Sequence, residues 1–549
     1  MFIVNVYTQI TRISIEMNKK QKSIQHLKEH SEWDRRGFLK ILGIAGMGSI
    51  SLGGGTVSVL ESQLLSNSLN SSVSDRILVL VRLKGGNDGL NTIVPVDQYD
   101  TYITKRPTLH IKKNDLVTLT DKLSMPKSLE KLKHFWNDGS MKVVQGVGYS
   151  DQNLSHFTSS DIWASASDEK SNMSSGWLGR FYDEKYFDHL INPPKKPIAI
   201  QIGSVSNKIF KGKDVNHAFA VASQKRLEKV AERGEYYSTD ELPDCTLGEQ
   251  IQYLRRVSNT TYAYAGVIND AYNNSNDYNG YTDSSLDNQL RLISRLIKGD
   301  LGSKIYMVTL GGFDTHGNQT DTHQELLQQL SSSLKIFYDD LNYEGIDNRV
   351  LTMTISEFGR TVHENGSNGT DHGTSAPVLL FGPPLLGSGI VGNHPSLSEL
   401  DRLGNLSYNI DFRSVYQTIL SDWLCGDKNF IDKAMLGDDY DILGLGFSCN
   451  DKETIDIDSL INYHYPIYSN SKNNVDLNLR IKQSYTLQID VFDILGRHID
   501  VVHKGVLQRG EHTFSISTNR FKVRLSAGQY FYRINIPGGD ILSASFFVK

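Results

Sequence analysis

From residue 76 onward, short apolar runs take turns with longer stretches in which apolar residues recur every three to four positions. The short β-branched runs predict strands, and the three-to-four spacing predicts helices. Strands fall at 77–83, 142–147, 197–202, 305–310, 350–356 and 377–381, and helices at 247–272, 284–298, 322–341 and 411–425. A further helix opens near Ser155 and runs through Trp163. Such alternation is the pattern of a layered α/β domain. The texture changes after about residue 449. Residues 450–474 are rich in Asn, Asp, Ser and Tyr and read as a linker. Beyond them, 477–480, 486–492, 512–516 and 529–536 alternate as strands between turn signals at Gly496, Gly510 and Gly538-Gly539. The expected organisation is a leader over 1–75, an α/β domain over 76–449, a linker over 450–474 and a small β-sandwich over 475–549.

The N-terminus breaks this pattern. Asp34-Arg35-Arg36-Gly37-Phe38-Leu39-Lys40 is followed by an uncharged stretch, 41–60, with six glycines and several serines. That stretch is only mildly hydrophobic, whereas a membrane span of its length is normally richer in Leu, Ile and Phe. It reads as a cleavable twin-arginine leader, leaving no stable membrane span in the mature chain. Met17 is a second candidate start.

Composition narrows the partners. With 39% hydrophobic residues, 26 Tyr and 21 Phe, the chain can fill sizeable cores, which excludes wholesale disorder. A net charge of −5 over 549 residues, with no long basic run in the body, excludes nucleic acid as the first choice of partner. Cys245, Cys425 and Cys449 form no CxxC pair. They are read as buried small side chains, with a single bridge left open.

The candidate chemistry gathers in loops at strand ends, where open α/β sheets bind ligands. Gly312-Phe313-Asp314-Thr315-His316 follows one strand, and Asp371-His372-Gly373 precedes another. Paired carboxylate and imidazole groups of this kind suit divalent zinc, manganese or iron. Asn87-Asp88 follows the first strand between glycines that allow close backbone approach. Ser155 stands at a helix start, where the local field favours an anion. Glu357 ends the strand at 350–356, with Arg360 three residues on.

Arg82-Leu83-Lys84-Gly85-Gly86-Asn87-Asp88-Gly89-Leu90-Asn91, Asn153-Leu154-Ser155-His156-Phe157, Gly311-Gly312-Phe313-Asp314-Thr315-His316, Ser356-Glu357-Phe358-Gly359-Arg360-Thr361 and Gly369-Thr370-Asp371-His372-Gly373 resemble, in order, the signature blocks of the domain-of-unknown-function 1501 family. The resemblance spans about residues 77–424. The family is grouped with alkaline phosphatases and sulfatases, which implies a mixed sheet between helical layers and metals at the strand ends. It also implies a divalent metal, zinc or manganese, held by Asp88, Asp314, His316, Glu357, Asp371 and His372. By the same implication Ser155 is the nucleophile, and Arg360 or Asn87 steadies the developing charge. Taken by motif, Asp371-His372 is the superfamily's Asp-His pair; taken by strand position, Glu357 holds that place and His372 is a later histidine. The second match is favoured, because position on the strand decides where a side chain points.

The implied activity is metal-dependent hydrolysis of phosphate or sulfate esters, on a small ester or a sulfated or phosphorylated glycan. The competing expectation is a catalytically degenerate surface binding or assembly protein. Val491-Phe492-Asp493-Ile494-Leu495-Gly496-Arg497 and Leu525-Ser526-Ala527-Gly528-Gln529-Tyr530-Phe531-Tyr532-Arg533-Ile534 resemble the type A sorting domain of type IX secretion. With the leader, that implies twin-arginine and type IX export machinery as partners. The expected destination is the periplasm and then the cell surface or the medium.

Overall fold

A computed structural model describes residues 75–449, except 170, 172, 187, 190, 235, 240, 241, 243–245, 384 and 386–388, together with residues 525–527 and seven strands between 461 and 548. The leader, Cys245 and most of the expected linker lie outside the described residues.

Nine strands form the central sheet: β1 (Ile77–Lys84), β2 (Met141–Gly148), β3 (Ala199–Ile202), β4 (Ala218–Val221), β5 (Ile305–Gly311), β6 (Val350–Ile355), β7 (Ala376–Phe381), β8 (Gly389–Val391) and β9 (Ile410–Asp411). Their order is β8-β2-β7-β6-β1-β5-β3-β4, with β9 also on β2. β1 lies parallel to both β5 and β6, while β7 runs antiparallel to β6 and β2. The sheet is therefore mixed.

The side-chain period of two splits β1 between two cores. Val79, Val81 and Leu83 join the core beneath helices α3 (Thr246–Asn273), α4 (Ser285–Lys298) and α5 (Gln319–Tyr343). Leu78 and Leu80 join the opposite core, under α1 (His156–Ser165), α2 (Trp177–Lys185) and α6 (Phe412–Thr418). Each fully buried Val or Leu of this kind contributes about 1.5–3 kcal/mol. Burial on both faces explains why the inner strands read as mainly apolar runs. The expected closing helix turns to π-helical geometry at Ile419–Trp423.

Beside this layer stand small all-antiparallel sheets. One pairs Val94–Pro95 and Leu116–Thr118 with Leu123–Pro126. The C-terminal strands are β10 (Ile461–Tyr468), β11 (Asn474–Ile481), β12 (Tyr485–Asp493), β13 (His498–Leu507), β14 (Gly510–Ser517), β15 (Gly528–Asn535) and β16 (Leu542–Val548). They form sheets β10-β11-β14 and β13-β12-β15-β16 over one core that includes Leu477, Leu479, Ile489, Val491, Tyr532 and Phe546.

Two expectations need correcting. β10 lies inside the span read as a linker and pairs antiparallel with β11, with one register shift between Ile461 and Tyr463. Cys425 and Cys449, read first as buried small side chains with a single bridge left open, are joined in a disulfide with Cα atoms 5.4 Å apart. Arg76, just before β1, fastens the same corner: its guanidinium donates to Asp422 O at 2.7 Å and Ser448 O at 3.0 Å. It also lies 4.9 Å from the Trp423 ring centroid. No helix among the described residues is long and apolar enough to cross a membrane.

Candidate metal centre

β1, β5 and β6 run parallel, so their carboxyl ends open on one edge of the sheet, and β7 starts from that edge. Four loops meet there. Close approach is enforced at Gly85, whose φ of +126° suits glycine and where a Cβ would strike the backbone at Phe313 and Asp314. Arg360, almost fully buried, clamps the loops together. It donates to Gly86 O at 2.9 Å, Thr370 O at 2.9 Å, Phe313 O at 3.0 Å and Gly85 O, and to Asp314 Oδ1 at 2.7 Å.

Around the half-exposed Asp314 carboxylate stand three imidazoles. Oδ1 lies 3.3 Å from His156 Nε2, 3.1 Å from His316 Nε2 and 3.4 Å from His372 Nε2. The ligand atoms of His156, Asp314 and His372 all fall within 4.8 Å of one another. His316 Nε2 comes to 2.9 Å from His372 Nε2.

The far nitrogen of each ring is held by an oxygen. His156 Nδ1 meets Glu357 Oε1 at 3.0 Å, His316 Nδ1 meets Asp371 Oδ1 at 2.9 Å, and His372 Nδ1 meets Leu154 O at 2.7 Å. A carbonyl or ionised carboxylate only accepts, so these partners assign a proton to Nδ1, and in the neutral ring the Nε2 lone pair faces inward. Imidazoles backed in this way by oxygen acceptors are the usual support of a metal site. His156 Nε2 and Glu357 Oε2 are buried, and neither has a hydrogen-bond partner among the described residues. The donor set of imidazole nitrogen and carboxylate oxygen fits a divalent ion.

The electrostatics agree. Burial raises the Asp314 carboxyl pKa, but the Arg360 bond and charge, with His156 and His316, bring it down to about 2. Asp371 is lowered chiefly by the bond from His316. His372 is lowered mainly by burial, which favours its neutral form.

Of the residues singled out in the sequence, Asp314, His316 and His372 converge. Glu357 and Asp371 stand behind imidazoles: Glu357 Oε1 also accepts Gly85 N–H at 2.8 Å, and Asp371 accepts Asn365 Nδ2 at 3.1 Å. Asp88 is fully buried and paired through Oδ2 with Arg106 at 2.6 Å, while its Oδ1 is buried with no hydrogen-bond partner among the described residues. Burial raises its pKa, but Arg106 and His323 outweigh that and lower it. Asn87 is buried too, bonded to Thr92 and facing His323 Nε2 at 3.1 Å. Ser155 is the exposed N-cap of α1, and its side chain makes no capping bond.

His156 is the residue that sequence reasoning missed. Its signal was adjacent, in Asn153-Leu154-Ser155-His156-Phe157, but the serine at the helix start drew the assignment.

Known structures give weak likenesses. A protein in the alkaline phosphatase superfamily from Vibrio parahaemolyticus is 10% identical, with 90% of this chain and 92% of that one covered and a TM-score of 0.31. A sulfatase from Pseudoalteromonas sp. is 10% identical, with 88% of each chain covered and a TM-score of 0.31. An alkaline phosphatase from the Antarctic bacterium TAB5 is 8% identical over 58% of this chain and 95% of that one, with a TM-score of 0.25. No curated protein matches the sequence. A family model does, over residues 137–422, just over half of the chain. On that match the chain belongs to the family described as Protein of unknown function (DUF1501).

Proposed function

We propose that this protein is a metal-dependent hydrolase of phosphate or sulfate esters, with a centre built by His156, Asp314 and His372 and completed by His316. One observation carries the metal. Two Nε2 atoms, on His316 and His372, approach to 2.9 Å beside a carboxylate, with both Nδ1 atoms held by oxygens. In neutral rings such an arrangement is repulsive, and a proton on one Nε2 or a metal cation among the three groups relieves it; the outward support of the rings and the adjoining carboxylate favour the metal. A divalent ion there, zinc or manganese by the donor set, supplies Lewis acidity and lowers the pKa of a bound hydroxyl or water.

The chain's own groups have separate tasks in this reading. Glu357, Asp371 and Leu154 O orient the imidazoles, and Arg360 fixes Asp314. The first turn of α1 has no side-chain cap, and its first residue is His156, so its free N–H groups and dipole favour an anionic ester at that spot. Ser155, exposed at the same turn, is the candidate nucleophile. The ester class itself follows from the resemblance of the sequence blocks to the phosphatase and sulfatase superfamily.

A second reading, a metal-holding surface protein without hydrolytic activity, is favoured by one observation. Asn87 and Arg360, expected to steady developing charge, spend their polar atoms on buried structural bonds. A panel of phosphate and sulfate esters, run before and after chelation, separates the two readings. Chelator-sensitive turnover that Ser155→Ala abolishes supports the hydrolase, while a metal-loaded protein inert across the panel supports the second reading.

Export belongs to the same proposal. The Cys425–Cys449 disulfide fits an oxidising compartment, as the leader and the C-terminal sorting resemblance do. Its expected partners are the twin-arginine and type IX machineries, and a small ester or a sulfated or phosphorylated glycan.

A further inference from the structure

We infer that Gln319 is a positioning residue that holds the two ligand-bearing loops of the metal centre in register, and that the Asp88–Arg106 ion pair sets the orientation of its amide. The inference rests on the metal-centre reading above.

Gln319 is the first residue of α5 and is fully buried. Its Oε1 accepts two hydroxyls, Thr315 Oγ1 at 2.9 Å and Thr370 Oγ1 at 2.6 Å. Thr315 stands between Asp314 and His316, and Thr370 immediately precedes Asp371 and His372. One carbonyl oxygen thus ties both halves of the centre together next to the ligand residues, beside backbone links from Thr370 N to Thr315 O at 3.1 Å, Asn318 N to Ser367 O at 3.1 Å and Gln319 N to Asn368 O at 2.8 Å.

The opposite end of the amide donates to Asp88 Oδ2, which also receives Arg106 NH1 at 2.6 Å. An ionised carboxylate only accepts, so Asp88 admits the NH₂ end of Gln319 and turns its oxygen toward the two threonines. Arg106 keeps that carboxylate charged. It also donates to Val362 O at 3.0 Å and Thr361 O at 2.7 Å, on the strap between Arg360 and the Asp371 loop. Gln319 and Asp88 act through the threonines, which gives a physical role to an acidic residue that lies apart from the three converging ligand atoms.

Cobalt(II) titration of the full chain, followed by the visible absorption of the bound ion, tests this. Thr370→Ser keeps the hydroxyl and is expected to bind cobalt within about threefold of wild type. Thr370→Val and Gln319→Met are expected to weaken binding about 10-fold or more and to shift the spectrum, in line with losses from outer-shell partners of metal ligands. The Thr370 pair carries the test should Gln319→Met not fold. Wild-type affinity and spectrum in Thr370→Val and Gln319→Met would overturn the inference and leave the metal reading standing. A wild-type chain that binds no cobalt removes both.

Discussion

Arg360 offers the sharpest separation between a structural and a catalytic role. Replacing it with leucine removes the donor from four backbone carbonyls, those of Gly85, Gly86, Phe313 and Thr370, all at the buried meeting point of the loops. Phe313 O keeps the Thr315 N–H at 2.9 Å, so three acceptors are left without a donor; at about 1–3 kcal/mol each, they set a loss of about 3 kcal/mol as the lower bound. The ion pair with Asp314 adds little to that figure, because the carboxylate is half exposed and water screens it. A loss of that size is a large share of the roughly 5–15 kcal/mol available to a folded domain. Urea unfolding followed by the fluorescence of the buried Trp177 and Trp423 measures it directly. Arg360→Lys is expected to recover only part, since an ammonium on a single stem cannot reproduce the planar fork. A stability loss under about 1 kcal/mol for Arg360→Leu, with turnover alone reduced, would refute the clamp and return Arg360 to the role of charge stabiliser.

Two further outcomes follow from particular groups. His323 is buried, and burial holds its pKa down at about 4, with Asp88 pulling the other way and Arg106 and Arg360 reinforcing burial. Its folded value lies below the ordinary 6.5, so the unfolded chain binds the extra proton. The stability it carries is complete above pH 6.5 and is lost as pH falls toward 4, by up to about 3 kcal/mol. His323→Gln should flatten that part of the stability-versus-pH curve, and an unchanged slope would contradict the assignment. Cys425→Ser should lower stability by about 3 kcal/mol, the chain-entropy value for closing a loop of 24 residues, as read from unfolding midpoints under non-reducing conditions. Equal midpoints for wild type and variant would show that the bridge does not constrain the unfolded chain.

Much of the sheet was legible because its inner strands are covered on both faces. β1, β5 and β6 read as mainly apolar, β-branched runs, and each ends in a glycine-flanked or polar loop that marks where the strand stops. The same logic exposed Asp314, His316 and His372, whose residue types are rare side by side in ordinary loops. β10 escaped because Ile461–Tyr468 carries Pro466 among polar and aromatic residues. Proline removes a ladder donor and is tolerated here at the edge of its sheet, where among the described residues only β11 pairs with it. The roles of Asp88 and Arg360 were hidden for a different reason. Arg106 lies 18 residues from Asp88, and the carbonyls that Arg360 gathers come from two other loops and from ten residues further along its own, so no local spacing announces either set of partners. Likewise a separation of 24 residues between Cys425 and Cys449 says nothing about whether they meet.

The central claim is that His156, Asp314 and His372, with His316 beside them, hold a divalent ion. Elemental analysis of the full chain, purified without chelator, addresses it most directly. The account predicts one equivalent of divalent metal per chain, reduced at least 10-fold in His156→Ala and Asp314→Ala while unfolding still shows a native structure. A wild-type chain with no stoichiometric metal, or variants that keep the full equivalent, would contradict it.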